Sequence, residues 1–181
     1  MLMRKNKKSF FMILLVPLLI LLLMAVKPAS AYLFGQKIIL ESIPIDPRDL
    51  FYGDYINVNL AITEIPLDKV NEDLRQELKG FEDNTRHSPI TVYTILKQDE
   101  DIYTVEEVRL TKPEAGLYMK GKVHYYSAEY DSSLMVDYQL NRFYVEENTG
   151  KQIEKIAQEG KVFISIKVMN GYALLDEVIL P

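Results

Sequence analysis

The sequence predicts a mainly β fold, a β-rich α+β domain, preceded by one N-terminal transmembrane helix. Three observations lead there. An uncharged apolar run occupies residues 10–26, apolar alternation with period two recurs through the rest of the chain, and only two later segments carry helical spacing. Strands that follow one another without alternating helices pair antiparallel, so the expected architecture is a curved sheet or partly open barrel with two short helices.

The apolar run comes first. Phe10 to Val26 (FFMILLVPLLILLLMAV) holds no charge and sits at the short end of the ~17–25 residues that span a bilayer as helix. Pro17 is tolerated in such a helix, with a kink as its expected cost. Arg4, Lys5, Lys7 and Lys8 precede the run, and no acidic residue occurs before Glu41, which places the N-terminus inside. The chain therefore divides into a basic cytoplasmic tail (1–9), an anchor or signal segment (10–31) and an extracytoplasmic domain (32–181). Its expected place is the cytoplasmic membrane, crossed once, with the domain outside. Ala29-Ser30-Ala31 is an A-x-A site, so the alternative is secretion after cleavage near Ala31. The apolar core exceeds the ~7–15 residues of a signal peptide, which favours the anchor.

About 150 residues make one domain able to bury roughly 70% of its unfolded surface, so the absence of cysteine leaves no deficit for a disulfide to fill. All 26 acidic residues follow residue 31, against 16 basic ones (all but Arg4, Lys5, Lys7, Lys8 and Lys27), a net of about −10. That sign argues against nucleic acid as a partner, since phosphate backbones need a positive surface. Anionic lipid headgroups are repelled by most of this surface too.

Within the domain, Ile56, Val58, Leu60 and Ile62 alternate with Tyr55, Asn57 and Asn59, predicting one half-buried strand opened by the turn Gly53-Asp54. Leu67, Val70, Leu74 and Leu78 form a helical stripe from Pro66 to a stop at Gly80. Ile90–Leu96 and Ile102–Leu110 flank the polar turn 97–101 as a hairpin. Gly116–Tyr126 reads as a strand, and Leu134–Val145 as one or two more. Thr149 and Gln152 form a capping box for a helix running to Glu159, stopped by Gly160. Val162, Ile164, Ile166 and Val168 alternate with polar or aromatic residues. Asn170-Gly171 then supplies the pair a type I′ turn favours, and residues 172–180 return as the last strand.

The stretch Pro44-Ile45-Asp46-Pro47-Arg48-Asp49-Leu50-Phe51-Tyr52-Gly53-Asp54-Tyr55 resembles the signature of the GDYXXLXY family of bacterial membrane-anchored proteins, in which P-x-D-P-R-D-L leads into Gly-Asp-Tyr and an alternating strand. Val58 stands where the family shows Leu, and Leu60 where it shows Tyr. Both keep strand chemistry, and no role resting on the second tyrosine is carried over. Phe143-Tyr144-Val145-Glu146-Glu147 followed by Gly150-Lys151-Gln152-Ile153-Glu154 resembles the family's aromatic-valine-acidic stretch and short helix. The resemblance implies no reaction. It implies an accessory role, because members accompany multi-spanning membrane proteins. The loop that ends in Gly53-Asp54 also resembles type I signal peptidases, whose nucleophilic Ser shortly precedes Gly-Asp. Here Ile45-Asp46 occupy that region, Ser42 comes too early and no Lys base is assignable, so this implies a degenerate, inactive relative.

Asp46, Arg48, Asp49, Gly53, Asp54 and Tyr55 are the candidate binding residues. Their structural reading is a tight turn: Asp-Pro initiates it, Arg48 pairs with a carboxylate, Asp54 caps loop amides and Gly53 takes an angle others resist. Their functional reading is a recognition loop, with Arg48 as a bidentate fork for a partner carboxylate. An envelope hydrolase using Asp46, Asp49 or Asp54 would need their pKa values pushed apart. His87 and His124 lack ligand spacing, no phosphate-binding glycine loop or G-x-S-x-G occurs, and no cofactor is expected. The tyrosines at 118, 125, 126, 130, 138 and 144 suit sheet packing before a ligand-binding face. The expected function is thus a membrane-anchored accessory or binding domain, docking onto an integral membrane protein.

Overall fold

A computed structural model describes residues 7–42, 55–57, 59–82, 87–126, 132–140, 142–144 and 162–179. The apolar run becomes α1, Lys7–Phe34, which contains Pro17 and Pro28 and extends eight residues beyond Val26. Residues 12–27 are exposed on every face of the helix, and Met12–Phe34 is long and apolar enough to cross a membrane. A helix apolar all round needs lipid or other helices about it.

There is almost no joint between α1 and the domain. Gly35 N donates to Ala31 O at 2.9 Å, and β1, Gln36–Ser42, follows at once. A Cβ at Gly35 would run into the Ala31 carbonyl and press on the Lys167 side chain, so this close approach requires glycine.

β1 lies antiparallel to β9, Val162–Met169, which pairs on its other edge with β10, Tyr172–Ile179. The expected turn closes the β9–β10 hairpin, with Asn170 at φ 49° and Gly171 at φ 78°, the positive pair that type I′ geometry needs. Ile38 faces Ile166 and Leu40 faces Ile164 across the ladder, and all four are fully buried. A bulge between Leu175 and Glu177 leaves Asp176 unpaired in the β10 ladder, and such bulges re-aim a side chain.

The second three-stranded sheet has the order β5-β4-β6, with β4 spanning Ile90–Asp99, β5 Ile102–Arg109 and β6 Leu117–Val123. Its hairpin turn is tighter than predicted. Lys97, Gln98 and Asp99 join the ladder opposite Thr104, Tyr103 and Ile102, and Glu100 alone takes a positive φ, of 55°. Backbone pairing is indifferent to polarity where the side chains are solvated, so the polar run does not end the strand.

Two departures fall between residues 55 and 82. The single strand predicted over Tyr55–Ile62 is replaced by the short β2, Tyr55–Asn57, and a second short strand, β3, Glu64–Pro66, follows beyond it. These pair with β8, Arg142–Tyr144, and β7, Ser133–Met135. Between them, residues Ala61–Thr63 form a 3-10 turn closed by Thr63 N donating to Leu60 O at 2.9 Å. Leu60 and Ile62 are still buried, so the alternation reported burial correctly and backbone wrongly. The predicted helix also starts later. Residues Leu67–Lys69 form another 3-10 turn, Val70 is extended, and α2 spans Glu72–Glu82. Asn71 Oδ1 accepts from Asp73 N at 3.0 Å as the cap, and the Arg75 guanidinium donates to the carbonyls of Leu67 and Val70, stabilising the interruption. Gly80 lies inside α2, and Phe81 beyond it is buried. The helix expected over residues 149–159 lies outside the described residues.

The two larger sheets approach along two lines, β1 against β5 and β6 against the β9–β10 hairpin, where Met119 bridges Gly171. The sheets do not close, and the result is the curved, partly open antiparallel architecture predicted. One apolar core fills it, including Ile38, Leu40, Leu60, Ile65, Val92, Met119 and Ile166, with Leu74 and Leu78 from α2. Each such side chain contributes about 1.5–3 kcal/mol on burial.

Candidate functional site

Asp46, Arg48, Asp49, Gly53 and Asp54 lie outside the described residues, as do the aspartates on which the hydrolase alternative rests. Tyr55 opens β2, its backbone opposite Tyr144. Ser42 closes β1, where its hydroxyl donates to Asn59 O at 3.2 Å.

What the described residues assemble is the junction between α1 and the domain. The end of the helix packs against β9 and β10. Ala31 is only 1% exposed, and the Ala29-Ser30-Ala31 triplet is helical throughout. Lys167 on β9 reaches back to the helix, donating to Tyr32 O at 3.0 Å while its amine stands 4.1 Å from the Tyr32 ring centroid. The bulge aims Asp176 at the same place: its carboxylate lies 3.4 Å from the Lys167 amine and 3.5 Å from that of Lys37, and accepts from the buried Ser165 hydroxyl at 3.3 Å. A bulged carboxylate and a buried serine thereby hold a lysine that clamps the last turn of α1. Because Lys167 and Asp176 are mostly shielded from water, this pair is screened less than a surface ion pair.

Beside the clamp is a cleft of about 290 Å³. Lys120 and Lys122 stand on the outward face of β6, and Gly121 between them leaves space that Val136 and the Tyr138 ring occupy. The Asn170–Tyr172 turn forms the opposite wall, held by Lys120 N donating to Gly171 O at 2.8 Å. Lys27 of α1 closes one end, its amine 4.8 Å from the Tyr172 ring centroid. On the β6 side, Lys122 N donates to Asp137 O at 2.9 Å and Asp137 N to Lys122 O at 2.8 Å.

Behind the cleft the Tyr138 hydroxyl enters the core. It donates to Ile62 O at 3.2 Å, so the 2.6 Å contact with the fully buried Thr94 has the threonine as donor. Burial pushes the Tyr138 hydroxyl well above its ordinary pKa, with the Thr94 hydrogen bond opposing in part. Tyr118 and Tyr126 are also buried and Tyr125 is exposed, so packing accounts for three of the tyrosines. His124 Nε2 lies 3.2 Å from Asp137 Oδ2, and among the described residues no group of three or more acidic, histidine or cysteine side chains forms a metal site.

The sequence reading missed the clamp and the cleft, though each left a trace. Leu174-Leu175-Asp176-Glu177 breaks period two where the bulge falls, and Gly121 inside a strand marks a close approach.

The model of the GDYXXLXY protein family matches residues 17–178, from within α1 to the penultimate residue of β10. The chain belongs to the GDYXXLXY family. No curated protein and no solved structure matches it. The GDYXXLXY match covers most of the helix together with all but the last described residue of the domain, so clamp, cleft and signature segment fall within one family unit.

Proposed function

We propose that this GDYXXLXY protein is a single-pass accessory subunit, with its N-terminus in the cytoplasm, whose extracytoplasmic domain docks onto an integral membrane protein. The observation that carries this reading is the junction. A helix with its first sixteen described side chains exposed passes into the first strand through one glycine and is clamped by Lys167 and Ala31. A domain on a flexible linker would sample many poses, whereas one fixed to its spanning helix presents one face at a set height, as a membrane partner needs. Cleavage after Ala31 would sever a docked helix and remove the acceptor of Gly35 N, so the anchored form is preferred to the secreted one. The signature residues Asp46, Arg48, Asp49, Gly53, Asp54 and Tyr55 follow β1 directly and are the recognition segment in this reading, with Arg48 as its fork for a partner carboxylate.

A crosslinked, detergent-solubilised pull-down of the tagged full-length protein from native membranes tests the proposal. Wild type should enrich one multi-spanning protein that Arg48→Ala, still folded, loses. Equal enrichment by both forms would remove Arg48 from the interface, and no enriched partner would end the accessory reading.

A further inference from the structure

We infer that the cleft between Lys27, Lys120 and Lys122 binds the phosphate of an anionic phospholipid headgroup. Three observations converge on that ligand. The first is charge without partners. Among the described residues Lys37 and Lys167 have carboxylates within 4.0 Å, and Lys69 donates to a carbonyl, whereas the amines of Lys27, Lys120 and Lys122 have neither, a condition shared outside the cleft by Lys79, Lys97 and Lys112. The cleft's one lining carboxylate, Asp137, sits 3.2 Å from His124. A domain of net charge about −10 thus places three amines without carboxylate partners around one concavity.

The second is spacing. Lys120 and Lys122 are two residues apart on one strand face, hence ~7 Å apart at the backbone. Two like charges so placed repel unless an anion lies between them. Asn170 and Gln139 line the same space and bring amide donors for phosphate oxygens. About 290 Å³ admits a phosphodiester with a small polar head.

The third is depth. Lys27 is the first charged residue after the apolar run, the level at which the hydrocarbon gives way to headgroups. A lysine there holds its amine at the lipid phosphates, and here that amine faces into the cleft over Tyr172. The rest of the acidic surface repels an anionic bilayer, so a local cationic cleft beside the helix would set which side of the domain lies on the membrane.

This inference rests on the anchored reading, and the test separates the two. Full-length protein in detergent is mixed with equal amounts of phosphatidylglycerol and phosphatidylcholine, and bound lipid is counted by native mass spectrometry. Each lysine near an anionic headgroup contributes about fivefold, so Lys120→Gln with Lys122→Gln should lower the preference for phosphatidylglycerol by roughly twenty-five-fold. Lys27→Gln, away from the sheet, gives an independent arm with a loss of about fivefold. Equal retention of both lipids by wild type, or an unchanged preference in either variant, overturns the site. Inorganic phosphate adducts without any lipid preference would mark a soluble-anion site and overturn it as well. Alkaline extraction of the source membranes distinguishes the failures: a released chain ends the anchored reading, while a retained chain without lipid preference ends only the headgroup site.

Discussion

Two stretches of α1 differ in what holds them. From Met12 to Val26 the side chains are exposed on all faces, and Lys27 after them stands over the Tyr172 ring. From Pro28 to Phe34 the same helix is seated on the β9–β10 hairpin, with Ala31 buried and Tyr32 gripped by Lys167. The difference lies in what surrounds each stretch. Leucines and isoleucines facing outward suit lipid, while a small residue, Ala31, lets a backbone approach a sheet closely. In the anchored reading proposed above, solvation by lipid and packing by protein meet at one point in the chain, and the domain inherits its orientation from that point.

Breaking the platform should have the largest effect. Ile166, fully buried on the central strand β9, costs about 2–5 kcal/mol when cut to Ala. Denaturant unfolding in detergent should show that loss together with release of the helix end to protease. The seat itself comes next. Ala31→Leu overpacks the junction by about 1–3 kcal/mol, and should open proteolysis between α1 and β1 while the lipid-facing half stays in the membrane. Cleavage unchanged from wild type would mean that the helix end is not docked.

Tyr138→Phe is of similar or smaller size. It leaves Thr94 and the Ile62 carbonyl without their buried partner, at about 1–3 kcal/mol. It also carries a pH signature. Burial raises the folded-state pKa of Tyr138, while the unfolded value stays near 10. Its contribution is fully present below about pH 10. It falls as pH rises past that value, because the unfolded chain releases a proton the folded one keeps. Wild-type stability should therefore drop more steeply above pH 10 than that of Tyr138→Phe, and parallel curves would contradict the buried hydroxyl. Least affected is Lys167→Met, which keeps the stem and removes the charge. A partly shielded pair plus a cation–π contact contributes about 1 kcal/mol, read as faster protease cutting at the junction with little change in the unfolding midpoint.

Burial was legible in the sequence even where backbone was not. Period two marked Leu60 and Ile62 as core residues, yet a 3-10 turn carries Ile62 inward, because hydrophobic spacing records which face is buried and not the hydrogen bonds that put it there. The Leu67–Leu78 stripe likewise named three core residues, Val70, Leu74 and Leu78, across an interruption that only Arg75 and the Asn71 cap explain. Asn170-Gly171 succeeded because a two-residue turn is a local decision. The clamp and the cleft were illegible because they join residues such as Lys27, Lys120 and Tyr172, which only the packing of the helix end and the two sheets brings together.

The central claim is that one uncleaved helix fixes the domain outside the membrane. The chain has no cysteine, so single cysteines can be labelled without background. Tyr125→Cys, at a site 63% exposed, and Lys5→Cys in the basic tail should be compared with a membrane-impermeant maleimide on intact cells. Labelling at position 125 in intact cells, labelling at position 5 only after permeabilisation, and retention of both in the alkaline-washed membrane fraction is the result the account predicts. The opposite labelling pattern, or a labelled domain released without its N-terminal segment, would contradict it.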